Sequence, residues 1–284
     1  MKNKNIDTPE CEGGICKITN IKNGDSNMRN SIEIYSGDNL STLKKLPKEK
    51  YELIYADPPY GTGKIYSDKK GKFSDFLTEE KFIDWIEPRL REIHRVMSTN
   101  GSFFIHMDYR EIHYVKVLCD KIFGRKSFIN EIIWQYDFGA RQKSKWSTKH
   151  DTILWYAKDP KNYIFNLDKV DLIPKLAPGL PVSKNRKNPN MKTLTDVWWN
   201  TIVPTNGKER TGYPTQKPLA ILERIVKVHS HPGMELLDPF AGSGSFGEAG
   251  LKFKRNVTLI DENPEAINVM EARLERFGVP TKMK

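Results

Sequence analysis

Short apolar runs alternate with longer amphipathic stretches along most of this chain. Ile32 to Tyr35, Tyr51 to Ala56 and Ser102 to Met107 read as strands, and between them residues 39–46, 79–97 and 111–123 carry helical spacing. The clearest case is Phe82, Ile86, Leu90, Ile93 and Met97, which keep a period near 3.6, with Thr78, Glu79 and Glu80 as a helix start. Trp85 is assigned to the apolar face of that helix, and Trp134 and Cys119 to the core. Ile132 to Tyr136 and Thr152 to Tyr156 read as an antiparallel hairpin at the sheet edge, joined by the basic loop Gly139–His150. Regular alternation of strand and helix predicts an α/β chain with a mostly parallel, doubly wound sheet.

Two strand ends carry the chemistry. Leu53-Ile54-Tyr55-Ala56 stops at Asp57-Pro58-Pro59-Tyr60, where two prolines end ladder pairing and fix an extended turn. A carboxylate, a carbonyl and an aromatic face then project together, a set suited to holding a planar base by its amino group. Near the other end, Glu235-Leu236-Leu237 opens into Asp238-Pro239-Phe240-Ala241-Gly242-Ser243-Gly244-Ser245-Phe246-Gly247, whose glycines have the GxGxxG spacing. A helix, the strand Asn256 to Ile260 and then Asp261 follow, the acid lying where a nucleotide-binding βαβ unit places its ribose ligand. Ligands of doubly wound sheets sit at the C-terminal ends of the strands, so both turns are expected on one rim. The residues after Gly244 suffice for helix, strand and helix, so this unit is expected to add to the N-terminal strands.

Together these motifs resemble the S-adenosylmethionine-dependent DNA amino-methyltransferases, the N6-adenine and N4-cytosine enzymes of restriction–modification systems. Asp57–Tyr60 matches their catalytic motif and Phe240–Gly244 their cofactor motif, in the order of the permuted beta group. Tyr213-Pro214-Thr215-Gln216-Lys217-Pro218 resembles their PTQKP segment, and Gly37-Asp38-Asn39-Leu40 their GDNL segment. The resemblance spans about residues 31–277, with Gly61 where many relatives have Asn and Tyr213 where they have His. It implies a Rossmann-like class I methyltransferase fold, circularly permuted, with a target-recognition insert. The implied layout is a flexible tail at 1–30, a catalytic half at 31–160, the insert at 161–210 and a cofactor half at 211–284.

The resemblance also assigns roles. Asp57, Pro58, Pro59 and Tyr60 form the catalytic set, with Tyr60 stacking on an extruded base. Asp38 faces the cofactor's adenine, Asp261 its ribose, and Phe240, Gly242, Ser243 and Gly244 its methionine part. Thr215 and Lys217 help hold its carboxylate, Gln216 lies with them beside the methionine end, and Asp238 faces the amine. The implied reaction is methyl transfer from S-adenosyl-L-methionine to N6 of adenine in duplex DNA. N4 of cytosine is the nearest alternative, and a noncatalytic DNA-binding subunit or an RNA or protein amide methyltransferase stand behind it. A homodimer and a cognate restriction endonuclease are the further partners that such systems suggest.

Charge agrees with a polyanionic partner. Lysine and arginine total 46 against 36 acidic residues, a formal charge of +10. Lys64 in a lysine- and glycine-rich lid after the catalytic turn, Arg141, Lys143, Lys145 and Lys149 in the hairpin loop, and Lys184, Arg186 and Lys187 in the insert are the candidate DNA contacts. Cys11, Cys16 and Cys119 have no partner set for zinc, so no metal site is read. Neither a membrane span nor a secretory signal is present in the pattern, which places the chain in a bacterial-type cytoplasm, associated with the nucleoid.

Overall fold

Eight strands form one mixed sheet that brings the two ends of the polypeptide together. The computed structural model describes residues 30–60, 79–139, 141–175 and 190–278, and the backbone of short strands at Cys11–Glu12, Ile15–Cys16, Ile65–Asp68 and Gly71–Ser74. In chain order the sheet strands are β1 (Ile32–Ser36), β2 (Tyr51–Ala56), β3 (Met97–Met107), β4 (Phe128–Gln135), β5 (His150–Ala157), β6 (Val197–Trp199), β7 (Glu235–Asp238) and β8 (Asn256–Asp261). Their spatial order is β6-β4-β5-β3-β2-β7-β8-β1. Only β5 runs against its neighbours; the remaining pairs are parallel.

Continuous rather than alternating apolar runs make sense here because both faces are covered. Helices α1 (Asn39–Lys45), α2 (Glu79–Val96) and α3 (Ile112–Phe123) enclose Ile54, Phe103, Ile105, Leu237 and Ile260 on one face. On the other, α4 (Leu219–His229) and α5 (Ser245–Lys252) cover Leu53, Tyr55, Phe104 and Leu236, and α6 (Pro264–Leu274) packs on Ile32, Val257 and Leu259. Neighbours such as Leu236 and Leu237 thus enter different cores. Cys119 and Trp134 are buried as expected.

The alternating elements fall close to their expected positions, and two features differ. Strand β3 begins at Met97, where it pairs with Tyr51 across an irregular register. The hairpin β4–β5 is antiparallel but lies one strand in from the edge, because β6 adds beyond it with Val197 opposite Ile133 and Trp199 opposite Gln135. Trp198 is buried there, and its indole N–H donates to the Thr195 carbonyl. The stretch expected as an insert therefore contributes a strand to the main sheet. It also forms a small hairpin, Leu172–Pro174 with Met191–Thr193, tied to α4 by Arg224 and Lys227 on Asp171. Residues 1–10, 13–14 and 17–29 of the expected tail, Thr78, and all of the lid except two strands pairing Ile65–Asp68 with Gly71–Ser74 lie outside the described residues. No helix among the described residues is long and apolar enough to cross a membrane.

Close packing of α5 on β8 leaves no room for a side chain at Gly250. A Cβ there would stand 2.5 Å from Val257 Cγ2 and 3.3 Å from Leu236 Cδ2. Helix propensity alone makes Gly→Ala favourable by about 1 kcal/mol, whereas overpacking against a stiff β-branched neighbour costs about 1–3 kcal/mol. Gly250→Ala is expected to lower the urea midpoint of unfolding; a raised midpoint would show slack between α5 and β8. His229, at the end of α4, is buried against Trp155 with ring centroids 4.4 Å apart, and its Nδ1–H donates to the Ile164 carbonyl at 3.2 Å. Burial lowers its pKa to about 3. Unfolding frees a ring that protonates near pH 6.5, so this stability is complete above about pH 6.5 and declines as pH falls toward 3. The His229 imidazole resonances should stay at their neutral positions down to about pH 4 in NMR titration, and loss of stability in that window should shrink in His229→Gln.

Candidate active site

Strands β2 and β7 lie side by side, with Leu53 opposite Leu236 and Ile54 opposite Leu237. Both are buried apolar segments that end in proline-containing turns, so Asp57–Tyr60 and Asp238–Gly244 leave the sheet together. From β2 the chain proceeds to β3 on one side, and from β7 to β8 on the other. That reversal opens a crevice at the strand ends. The cavity there measures about 490 Å³, within the range of small-molecule sites.

The floor of the cavity is the glycine turn. Gly242 has φ +48° and Gly244 φ +72°, both in the left-handed region that glycine adopts without strain. A Cβ on Gly244 would stand 2.7 Å from Met270 Cγ, so the turn is pressed onto α6. Asp261, at the end of β8, braces this turn: its Oδ2 accepts the Gly242 N–H at 2.8 Å and its Oδ1 the Asn263 N–H at 2.9 Å. Asp238 is buried, and its Oδ1 accepts the Phe240 N–H at 3.0 Å. Burial, reinforced by the charges of Asp57 and Asp261, pushes the Asp238 carboxyl well above the usual carboxylate range; burial also raises Asp261.

Asp57 stands across from the turn. Its Oδ1 accepts the Tyr60 hydroxyl at 2.8 Å and its Oδ2 the Lys217 ammonium at 2.5 Å. Burial and the adjacent carboxylate raise the Tyr60 hydroxyl far above its ordinary pKa, so it stays a donor. Lys217 reaches this position because the preceding loop is tied down. Gln216 Oε1 accepts from the Thr211 N–H and hydroxyl, both at 2.9 Å, and its amide donates to the Glu209 carbonyl at 2.7 Å. Thr215 takes φ +60°, a left-handed conformation uncommon for a β-branched residue. Beneath the catalytic turn, Tyr55 stacks on Phe246 at 5.4 Å and its hydroxyl bonds His106 Nδ1 at 2.7 Å.

Twelve of the expected residues line this one cavity: Asp57, Pro58, Pro59, Tyr60, Thr215, Gln216, Lys217, Asp238, Phe240, Gly242, Ser243 and Asp261. Gly244 lies just outside the lining, packed on Met270. Asp38 is also outside it. This residue caps α1, with Oδ1 accepting from the Ser41 N–H and hydroxyl at 2.8 Å, and pairs with Arg89 at 3.0 Å. Its neighbour Asn39 lines the cavity instead.

Sequence reasoning missed Asn39, Trp85, Arg89, Tyr213, Glu262 and Asn263 on the cavity wall. Trp85 packs against the core as expected, is partly buried, and also lines the cavity wall. The Arg89 guanidinium lies 3.9 Å from its ring centroid, and the Phe240 ring is 5.9 Å away. The i,i+4 spacing of Trp85 and Arg89, a cation beside an aromatic on an otherwise apolar helix face, was the available signal.

The DNA candidates are distributed differently. Arg141, Lys143 and Lys145 are exposed on the loop between β4 and β5, with Trp146 at 96% exposure beside them. Lys149 is committed to that loop, its ammonium donating to the carbonyls of Phe138 at 2.9 Å and Gly139 at 2.7 Å. Lys64, Lys184, Arg186 and Lys187 lie outside the described residues.

Comparison with known proteins places this geometry in a family. The pattern of the family described as DNA methylase matches residues 51–272. The DNA adenine methyltransferase YhdJ of Escherichia coli (strain K12) is 36% identical over 248 residues, which cover 85% of this chain and 82% of that protein. The type II methyltransferase M.ScaI of Streptomyces caespitosus is 32% identical over 256 residues, 86% of this chain and 81% of the relative. Among solved structures, the M1.HpyAVI–SAM complex superposes with a TM-score of 0.60 at 24% identity, over 86% of this chain and 98% of the other. A family pattern spanning most of the chain, two relatives above 30% identity along most of their own lengths, and a site assembled from both halves of that pattern all agree: the protein belongs to the DNA methylase family.

Proposed function

We propose that this DNA methyltransferase, whose methyl donor is S-adenosylmethionine, acts on the exocyclic N6 of an adenine extruded from duplex DNA. The observation that carries the reading is the facing of Asp57 and the glycine turn across one cavity. Agreement with YhdJ, an enzyme named for adenine, favours that base over cytosine.

The residues present fit a zwitterionic nucleoside. Acids at Asp238, Asp261 and Glu262, the cation Lys217 and the apolar walls of Trp85 and Phe240 share the lining, and the volume suits a molecule of that size. When bound, S-adenosylmethionine supplies an electrophilic methyl on its sulfonium. Each oxygen of Asp261 accepts one backbone N–H and keeps a lone pair for a ribose hydroxyl. Asp238 suits the ammonium, because a cation beside a buried carboxyl favours its ionised form.

Asp57 and the Pro58 carbonyl accept the two hydrogens of the target amine. An exocyclic amine is a weak nucleophile because its lone pair is delocalised into the ring. Two acceptors draw the nitrogen toward tetrahedral geometry and aim the lone pair at the methyl, which is alignment combined with electrostatic stabilisation. Transfer leaves a cationic nitrogen that sheds a proton readily, so no base is needed before attack. Tyr60 offers its ring face to the extruded base, offsetting part of the few kcal/mol of lost stacking and pairing.

Because β4 is parallel to β2 across the antiparallel β5, the loop from Tyr136 to Lys149 rises on the same rim as the cavity. Arg141, Lys143 and Lys145 on it suit phosphate contacts, which position the duplex without reading its sequence.

Duplex DNA incubated with labelled S-adenosylmethionine should acquire N6-methyladenine on nucleoside analysis; N4-methylcytosine would reassign the base. Asp57→Ala is expected to lower turnover by about 10²–10³-fold while cofactor binding by calorimetry persists, and retained turnover would remove Asp57 from the chemistry. Lys143→Ala with Lys145→Ala should weaken DNA binding at all sequences and flatten the dependence of log K on log salt by about 2; an unchanged slope would reject the phosphate contacts.

A further inference from the structure

Asp57 must accept hydrogen bonds from the target amine, yet each of its oxygens already accepts one donor, and one of those donors is a cation. Lys217 Nζ is 2.5 Å from Oδ2 and the Tyr60 hydroxyl 2.8 Å from Oδ1, with the Lys217 and Asp57 side chains only 11% and 15% exposed. Lys217 also stands 5.4 Å from the Tyr60 ring centroid, so one ammonium pins both the acceptor and the aromatic face intended for the base. With both side chains mostly withdrawn from solvent, an ammonium in contact draws density from the carboxylate and makes it a poorer acceptor.

Among the described residues, the cations on the cavity wall are Lys217 and Arg89. Arg89 is held in place with its charge paired: Nε donates to Asn39 Oδ1 at 2.7 Å, Nη1 to the Trp85 carbonyl at 2.8 Å and Nη2 to the Asp38 carboxylate at 3.0 Å, with its face on the Trp85 ring. A carboxylate entering this cavity as part of the cofactor therefore has Lys217 as its cation. The long, flexible stem of lysine lets that ammonium change partners, while the Gln216 ties hold its backbone in place.

We infer that Lys217 couples the two ligands. In one arrangement, the one described above, it holds Asp57 and Tyr60; in the other it turns to the cofactor's carboxylate, leaving Asp57 a full-strength acceptor and Tyr60 free to stack. The site then captures its base after the methyl donor rather than before it, which limits unproductive extrusion. Lys217 acts here through Asp57 as a positioning residue. This inference rests on the methyl-transfer reading, and lack of any DNA methylation by the wild-type protein would defeat that reading rather than the coupling.

The test uses a duplex carrying 2-aminopurine at the target position, once sequencing of methylated DNA has supplied the site, and reads base capture by fluorescence. S-Adenosylhomocysteine should tighten capture by about 5–150-fold, the usual range of coupling between two sites. Its decarboxylated analogue, S-adenosyl-3-thiopropylamine, keeps the adenosine, sulfur and amine and at saturation should leave capture within about two-fold of the unliganded protein. Equal tightening by both compounds would overturn the inference with no variant required. In Lys217→Met, capture without ligand should match that of the liganded wild type and respond to neither compound, and Lys217→Arg should restore a response to S-adenosylhomocysteine. Full coupling in a folded Lys217→Met protein would equally overturn it.

Discussion

Leu53 opposite Leu236 and Ile54 opposite Leu237 is a short parallel register, and the functional part of the molecule is built on it. Slipping it by one residue would exchange the faces of the strand that moves, sending side chains meant for the core under α2 toward the core under α5. Each of those cores is closed by fully buried residues, so the register is held from both sides. With the strand ends fixed, the proline turn and the glycine turn have nowhere to go but into the same crevice.

The crevice is an electrostatic problem as much as a shape. Asp57, Asp238, Asp261 and Glu262 converge on it, against Lys217 and Arg89. Acids crowded out of water raise one another's pKa, as Asp238 shows, and three devices contain the cost. Backbone N–H groups of Gly242 and Asn263 hold Asp261, Phe240 holds Asp238, and Lys217 holds Asp57. The first two are rigid parts of the turns. The third is a long side chain that reaches Asp57 from a separate loop.

Much of the fold was legible because a strand covered on both faces must be apolar throughout and a helix covered on one must repeat every 3.6 residues. Chain-local chemistry was equally legible: glycines at 242, 244 and 247 meet a left-handed turn, a close approach to Met270 and a close approach to Leu259. What went unread was non-local. Three residues, Val197–Trp199, are too few to announce a strand, and their place beside β4 depends on a pairing across more than sixty positions. Asp38 stands next to the wall residue Asn39, but the direction of each side chain is set by helix α1, which takes Asp38 as its cap. Trp85 was read as part of a helix face for the core, and that face continues past the core's edge into the cavity, where Arg89 joins it.

By itself, the sequence determined which segments end strands, which turns need glycine or proline, and which acid and aromatic groups stand at those ends, because such properties depend on a residue and its near neighbours. Only the tertiary structure decided that Asp57 meets Lys217, that Arg89 and Trp85 wall the cavity, and that β6 rather than the hairpin closes the sheet. Those outcomes follow from long-range strand pairing and helix packing, in which many partners compete for each surface and the total burial selects among them.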